Sequence, residues 1–169
     1  MKKESLLRFL AIAGIVSLSL PAFDQAVAHE HHPPHHGTLV ELGEEFAHVE
    51  LLLDSSTGGL TAFVLDGEAE NPVEISQPFL LIKAKDKGGS FTVKLKPVAS
   101  PLTGETAGNT SQFQGSSPRL KGVDKFEGTI IRIKAKGTDF KNVWFLYPEG
   151  NEGVKKPEEG GTSHEKISR

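Results

Sequence analysis

The stretch TLVELGEEFAHVELLLDSSTGGLTAFVLD, residues 38–66, decides the fold of this chain. Its apolar and polar residues alternate, which is typical of strands that bury one face and leave the other in water. An acidic pair and a Gly-rich run interrupt the alternation where hairpin connections are expected. The stretch therefore predicts three antiparallel strands, at 38–43, 47–54 and 60–66.

The rest of the chain continues the same pattern up to residue 148. Phe91, Val93 and Leu95 are predicted to share one face of a strand, as are Ile131, Ile133 and Ala135 on another. No segment beyond the N-terminus shows a helical period. We therefore predict an all-β domain over 38–148, an antiparallel β-sandwich (Ig-like) of about seven to nine strands, with a small barrel as the alternative. Its further strands are predicted at 78–85, 90–98, 112–114, 126–136 and 139–148.

The first 28 residues have the pattern of a secretory signal peptide. Basic residues at the start precede an apolar run of twelve residues, 9–20, which is too short to span a bilayer as a helix. Small residues at Ala26 and Ala28 form a cleavage site. We expect a periplasmic or secreted protein that is cut after Ala28 and is not transmembrane after cleavage.

Composition argues against several functional classes. The chain carries 19 basic and 22 acidic side chains, a net charge of −3, and lacks the basic excess of a nucleic-acid-binding protein. It contains no Cys, and no serine-nucleophile or phosphate-loop motif is present. We therefore predict that the protein is not an enzyme. Few apolar residues occur in the tail, 149–169, which is predicted to be disordered.

A histidine cluster, HEHHPPHHG, follows the predicted cleavage site and is expected to be a flexible leader over 29–37. Its candidate metal ligands are His29, His31, His32, His35 and His36. A free amine at residue 29 with His31 in third position supplies a square-planar nitrogen set suited to Cu(II) or Ni(II), and Zn(II) also accepts imidazoles. Because Met1 is the only methionine and Cys is absent, soft Cu(I) coordination is not expected.

The first predicted hairpin contains a second group of candidate ligands. If Glu44 and Glu45 form the turn, Glu41 faces His48, and Glu50 projects from the same face as His48. These three side chains either form a carboxylate–imidazole site for Zn(II) or Cu(II), which a histidine from the leader could complete, or make an exposed ion pair on the wet face of the hairpin. The exposed ion pair is the simpler interpretation.

The stretch HGTLVELGEEFAHVELLLDSSTGGLTAFVLDGEAENPVEI, residues 36–75, resembles a group of small exported bacterial proteins. These share an H-G-G-x-L-V-E-L-G leader, an H-x-E-L-x-x-D strand and an L-D-x-x-x-x-x-P-V segment, and similar stretches occur in periplasmic adaptor subunits of heavy-metal efflux pumps. The resemblance extends to residue 148 and implies a role in metal handling. The residues of this chain that match the shared motifs include His36, Gly37, Glu41, His48 and Glu50. Thr38 replaces the second glycine, and the long helical hairpin of an efflux adaptor is missing.

Together these features predict an exported protein for the capture or homeostasis of Cu(II), Zn(II) or Ni(II). A periplasmic efflux or envelope protein is the expected partner besides the metal ion. A non-catalytic interaction module of the cell envelope with incidental histidines is the alternative. A copper oxidase that uses His29 in a brace with His48 or another histidine is a third possibility, which the tether formed by Pro33-Pro34 and the neighbouring histidines disfavours.

Overall fold

The computed structural model describes residues 31–156, and in these residues it confirms the predicted all-β class. Eight antiparallel strands and one single-turn 3-10 helix, Pro118–Leu120, make up its regular structure. The strands are β1 (Thr38–Leu42), β2 (Ala47–Asp54), β3 (Gly59–Leu65), β4 (Leu80–Asp86), β5 (Gly89–Pro97), β6 (Gln112–Ser116), β7 (Phe126–Ala135) and β8 (Thr138–Tyr147). No helix within 31–156 is long and apolar enough to cross a membrane.

All eight strands belong to one sheet, which closes almost completely into a barrel. The strand order is β1-β2-β3-β6-β5-β4-β7-β8. Of the two predicted architectures the small barrel is therefore the one that forms, in place of the two separate sheets of a sandwich. The short strand β6 decides this, because it pairs with β3 on one side and with β5 on the other and so joins the two halves of the chain.

The β1–β2 hairpin has the predicted register. Glu41 lies opposite His48, and Thr38 lies opposite Leu51. Glu45 adopts a left-handed φ of 54° in the turn, a conformation that is uncommon for residues other than glycine. The turn chemistry read from the sequence therefore set the pairing of these two strands.

Inward-facing side chains fill the barrel with a continuous apolar core. Val93 and Leu95 are buried as predicted, and so are Ile133 and Ala135. The prediction for Ile131 was wrong: Ile130 is buried in its place. The alternation slips there because the ladder between β7 and β8 is interrupted, and Asn142, on the β8 side of the gap, has a φ of 53°. The largest fully buried side chains include Phe113, Phe145, Leu42, Leu60, Leu80, Ile82 and Leu120.

Residues just after β8 close the gap between the two edge strands. The Asn151 amide accepts a hydrogen bond from Glu41 N at 2.7 Å and donates one to Glu41 O at 3.0 Å. Thr38 Oγ1 also donates to Pro148 O at 3.0 Å. The side chain of Asn151 thus acts as a substitute for a neighbouring strand. The hydrogen-bonded domain therefore extends past residue 148 to Asn151, into what was predicted to be a disordered tail.

Candidate metal centre

The outer face of β2 is buried, although the sequence pattern assigned it to solvent. His48 is 1% exposed and Glu50 is 0% exposed. Residues 31–37 fold back over this face, so the interpretation of His48 and Glu50 as part of an exposed ion pair was wrong. Alternation along β2 identifies the two faces, but a segment from outside the hairpin determines whether the polar face is wet.

Glu50 is the attachment point for the covering segment. Its Oε1 accepts hydrogen bonds from His35 N at 2.9 Å and Gly37 N at 2.8 Å. Its Oε2 lies 2.7 Å from His35 Nδ1. The His35 ring also stacks on Phe63, which faces Glu50 across the β2–β3 ladder, with 3.9 Å between ring centroids. A buried carboxylate needs such partners, because burying an unpaired charge is costly.

His48 has one nitrogen bonded and one free. Its Nδ1 lies 3.1 Å from the carbonyl oxygen of Asp66, just beyond β3. A carbonyl oxygen can only accept, so Nδ1 carries a proton, and in the neutral imidazole Nε2 is then the nitrogen with the lone pair. This Nε2 is buried and has no hydrogen-bond partner in the part of the chain that the structure describes.

The ring of His31 lies beside the ring of His48. The two ring centroids are 4.8 Å apart with a tilt of 55° between the rings, and the side chain of His31 is only 5% exposed. His31 Nδ1 is also buried and has no hydrogen-bond partner among residues 31–156. Glu152 Oε2 lies 3.8 Å from His31 Nδ1, beyond hydrogen-bond distance.

This arrangement suits metal coordination by imidazole. A buried polar atom without a partner costs about 1–3 kcal/mol, and here two such nitrogens lie on adjacent rings. Metal-ligating histidines commonly donate their second N–H to a backbone carbonyl, as His48 does to Asp66. Within residues 31–156, however, no three His, Asp or Glu side chains are gathered as a complete ligand set. His31 and His48 would supply two ligands. Glu152, whose Oε2 lies 3.8 Å from His31 Nδ1, is the candidate for a third ligand.

The other predicted ligands are divided among different roles. His35 and Glu50 bind each other, and Glu41 Oε1 accepts a hydrogen bond from Glu45 N at 2.7 Å. His32 and His36 are exposed. The predicted trio of Glu41, His48 and Glu50 is therefore not assembled as one group, and His29 lies outside the described residues.

Three residues of this region were missed by the sequence reasoning. Phe63, which stacks on His35, was predicted only as a strand residue. Asp66 accepts from His48 through its backbone carbonyl oxygen, so its side chain gave no signal. Glu152 lies in the segment that was predicted to be a disordered tail. Burial raises the pKa of the Asp66 carboxyl, but hydrogen bonds from Asn71 and Glu70 outweigh it and hold that pKa below its usual value. An Asp-Gly turn signal after β3 was the only sequence feature that marked this corner.

No family of known proteins, no curated protein and no solved structure matches the chain at a significant level.

Proposed function

We propose that this protein is an exported binder of a divalent transition metal ion, which His31 and His48 coordinate. One observation carries the proposal: the rings of His31 and His48 are adjacent, and His31 Nδ1 and His48 Nε2 are both buried without a hydrogen-bond partner among residues 31–156. A metal ion shared by the two rings would satisfy both nitrogens at once. The predicted role is metal capture or homeostasis, with no chemical step assigned to the protein.

The ligand types select the class of ion. Neutral imidazoles bind Zn(II), Cu(II) and Ni(II), whereas soft Cu(I) favours thiolates and thioethers. No Cys occurs in the chain, and Met1 is its only methionine. Of the three divalent ions, Cu(II) is expected to bind most tightly and Zn(II) to fit a four-coordinate site without redox chemistry.

A zinc titration with histidine variants tests the proposal. We expect His48→Gln to weaken Zn(II) binding at least tenfold, or about 1.4 kcal/mol, because it removes one of two buried ligands. His36→Gln is the matched control, since His36 is exposed and belongs to the same histidine cluster. Isothermal titration calorimetry of the exported protein gives the affinities. Equal affinities for the two variants would refute the buried pair as the site.

The amino-terminal chelate predicted from the sequence would compete for the same ligand, His31. One extra residue before His29 would disrupt that chelate and leave the His31–His48 pair intact. For the buried pair we expect the extension to leave both Cu(II) and Zn(II) affinity unchanged. A loss on extension, combined with no effect of His48→Gln, would assign binding to the chain terminus instead.

A further inference from the structure

Residues 31–37, which we call the strap, hold one of the two proposed ligands outside the barrel. His48 belongs to β2, whereas His31 reaches it only because the strap lies across the outer face of that strand. Within the strap, His36 N donates to Pro33 O at 3.0 Å, which closes a turn. The relative position of the two imidazoles therefore depends on how the strap is attached.

The attachment is concentrated at Glu50, which contacts the strap at His35 and Gly37, four and six residues along the chain from His31. Two backbone N–H groups and one imidazole of the strap converge on this single, fully buried carboxylate. Glu50 contacts His35 and Gly37 but is not one of the two proposed metal ligands. Its three hydrogen bonds hold the strap in register against β2.

Gly37 allows the strap to approach β2 closely. A Cβ atom built on Gly37 would lie 2.7 Å from Leu51 O and 2.7 Å from Leu52 Cδ1. Both distances are shorter than any ordinary carbon contact, and Leu51 O is backbone that cannot move aside easily. Any side chain at position 37 must therefore lift the strap from the strand.

We infer that Glu50 and Gly37 are positioning residues that set metal affinity by docking the strap, and that metal binding and strap docking stabilise each other. The inference rests on the proposed function. A metal ion held by His31 and His48 ties the strap to the barrel, and a docked strap presents His31 to the ion in advance. Such coupling is reciprocal by thermodynamic linkage. Any change that loosens the strap weakens metal binding, and metal binding holds the strap more firmly against β2.

Gly37→Ala is the decisive variant, because it removes no ligand and no polar group. We expect it to weaken Zn(II) binding at least tenfold, while Gly108→Ala leaves the affinity unchanged, since a Cβ at Gly108 meets only Thr106 Oγ1 at 3.8 Å. Thermal unfolding of both apo variants checks that the barrel is intact. Wild-type affinity in Gly37→Ala would overturn the inference.

Amide hydrogen exchange supplies a second readout that a merely structural role would not change. In the wild type, Zn(II) should slow exchange at His35 N–H and Gly37 N–H, both bonded to Glu50. In the His48→Gln variant, Zn(II) should not slow exchange at these two amides. Glu50→Gln retains an oxygen for these two donors and should recover part of the affinity lost in Glu50→Ala. Strap amides that exchange equally with and without Zn(II) would overturn the coupling.

The two proposals fail in different ways. If His48→Gln binds Zn(II) as tightly as the wild type, the proposed site is wrong and the coupling is overturned with it. If His48→Gln loses Zn(II) while Gly37→Ala and Glu50→Ala keep it, the site stands and only the positioning role is refuted.

Discussion

At the scale of single residues, the size of a neighbouring side chain inside the barrel explains why a strand contains a residue with low strand propensity. Gly128 lies in the middle of β7, where glycine would ordinarily cost stability. It faces Phe145 across the β7–β8 ladder, and a Cβ on Gly128 would lie 2.1 Å from Phe145 Cζ. The glycine therefore makes room for an aromatic ring that is fully buried.

Gly128→Ala is expected to destabilise the protein by about 1–3 kcal/mol, the usual cost of overpacking a core. Urea denaturation followed by circular dichroism measures the change. Gly108→Ala is the control, because the space around Gly108 is open. A Gly128→Ala protein as stable as the wild type would show that Phe145 can move away without loss.

At the scale of elements, the turns carry much of the local specification. The β2–β3 turn is organised by Asp54, whose carboxylate accepts hydrogen bonds from Ser56 Oγ and Thr57 Oγ1, both at 2.6 Å. These bonds favour the ionised form and lower the pKa of Asp54 from 3.8 to about 2. Because the carboxyl is more acidic in the folded protein, its contribution to stability is complete above pH 4 and disappears as the pH falls through about 2.

Asp54→Ala should lower the melting temperature at pH 7, and its difference from the wild type should narrow steadily between pH 4 and pH 2. Thermal scans across this range test the expectation. Asp124→Ala, which changes an exposed aspartate in a loop, serves as the control for loss of negative charge. A difference that stays constant down to pH 2 would contradict the role assigned to the ionised carboxylate.

At the scale of the whole molecule, two long-range connections convert a row of hairpins into a barrel. β6 joins the two halves of the sheet, and Asn151 bridges to the backbone of Glu41 where the sheet would otherwise end. The same closure brings Glu152 close to His31. Barrel closure and the candidate metal centre therefore meet at one corner of the molecule.

Asn151→Ala should reduce the free energy of unfolding by about 1–3 kcal/mol, because it leaves two backbone groups of Glu41 without partners. Denaturant unfolding measures this, with the exposed Lys155→Ala as control. Asn151→Asp should also destabilise, since a carboxylate can accept from Glu41 N but cannot donate to Glu41 O. Wild-type stability in both Asn151 variants would mean that the closing contact contributes nothing.

Much of the fold was predictable because its determinants are local. The end points of the observed strands lie close to those predicted, and the pairing of Glu41 with His48 followed from the turn between them. The candidate site was predicted only in part. His31 and His48 were named in two groups that a leader histidine could connect, but nothing local indicated that His31 would be the histidine beside His48.

The sequence by itself determined the all-β class, the positions of the strands and the faces on which their side chains lie, because two-residue alternation and turn preferences act between near neighbours. Tertiary structure alone decided that one sheet closes into a barrel and that the strap covers His48 and Glu50. Those outcomes depend on contacts between segments far apart in the chain, such as Glu41 with Asn151. No local pattern encodes whether a polar face meets water or another part of the same chain.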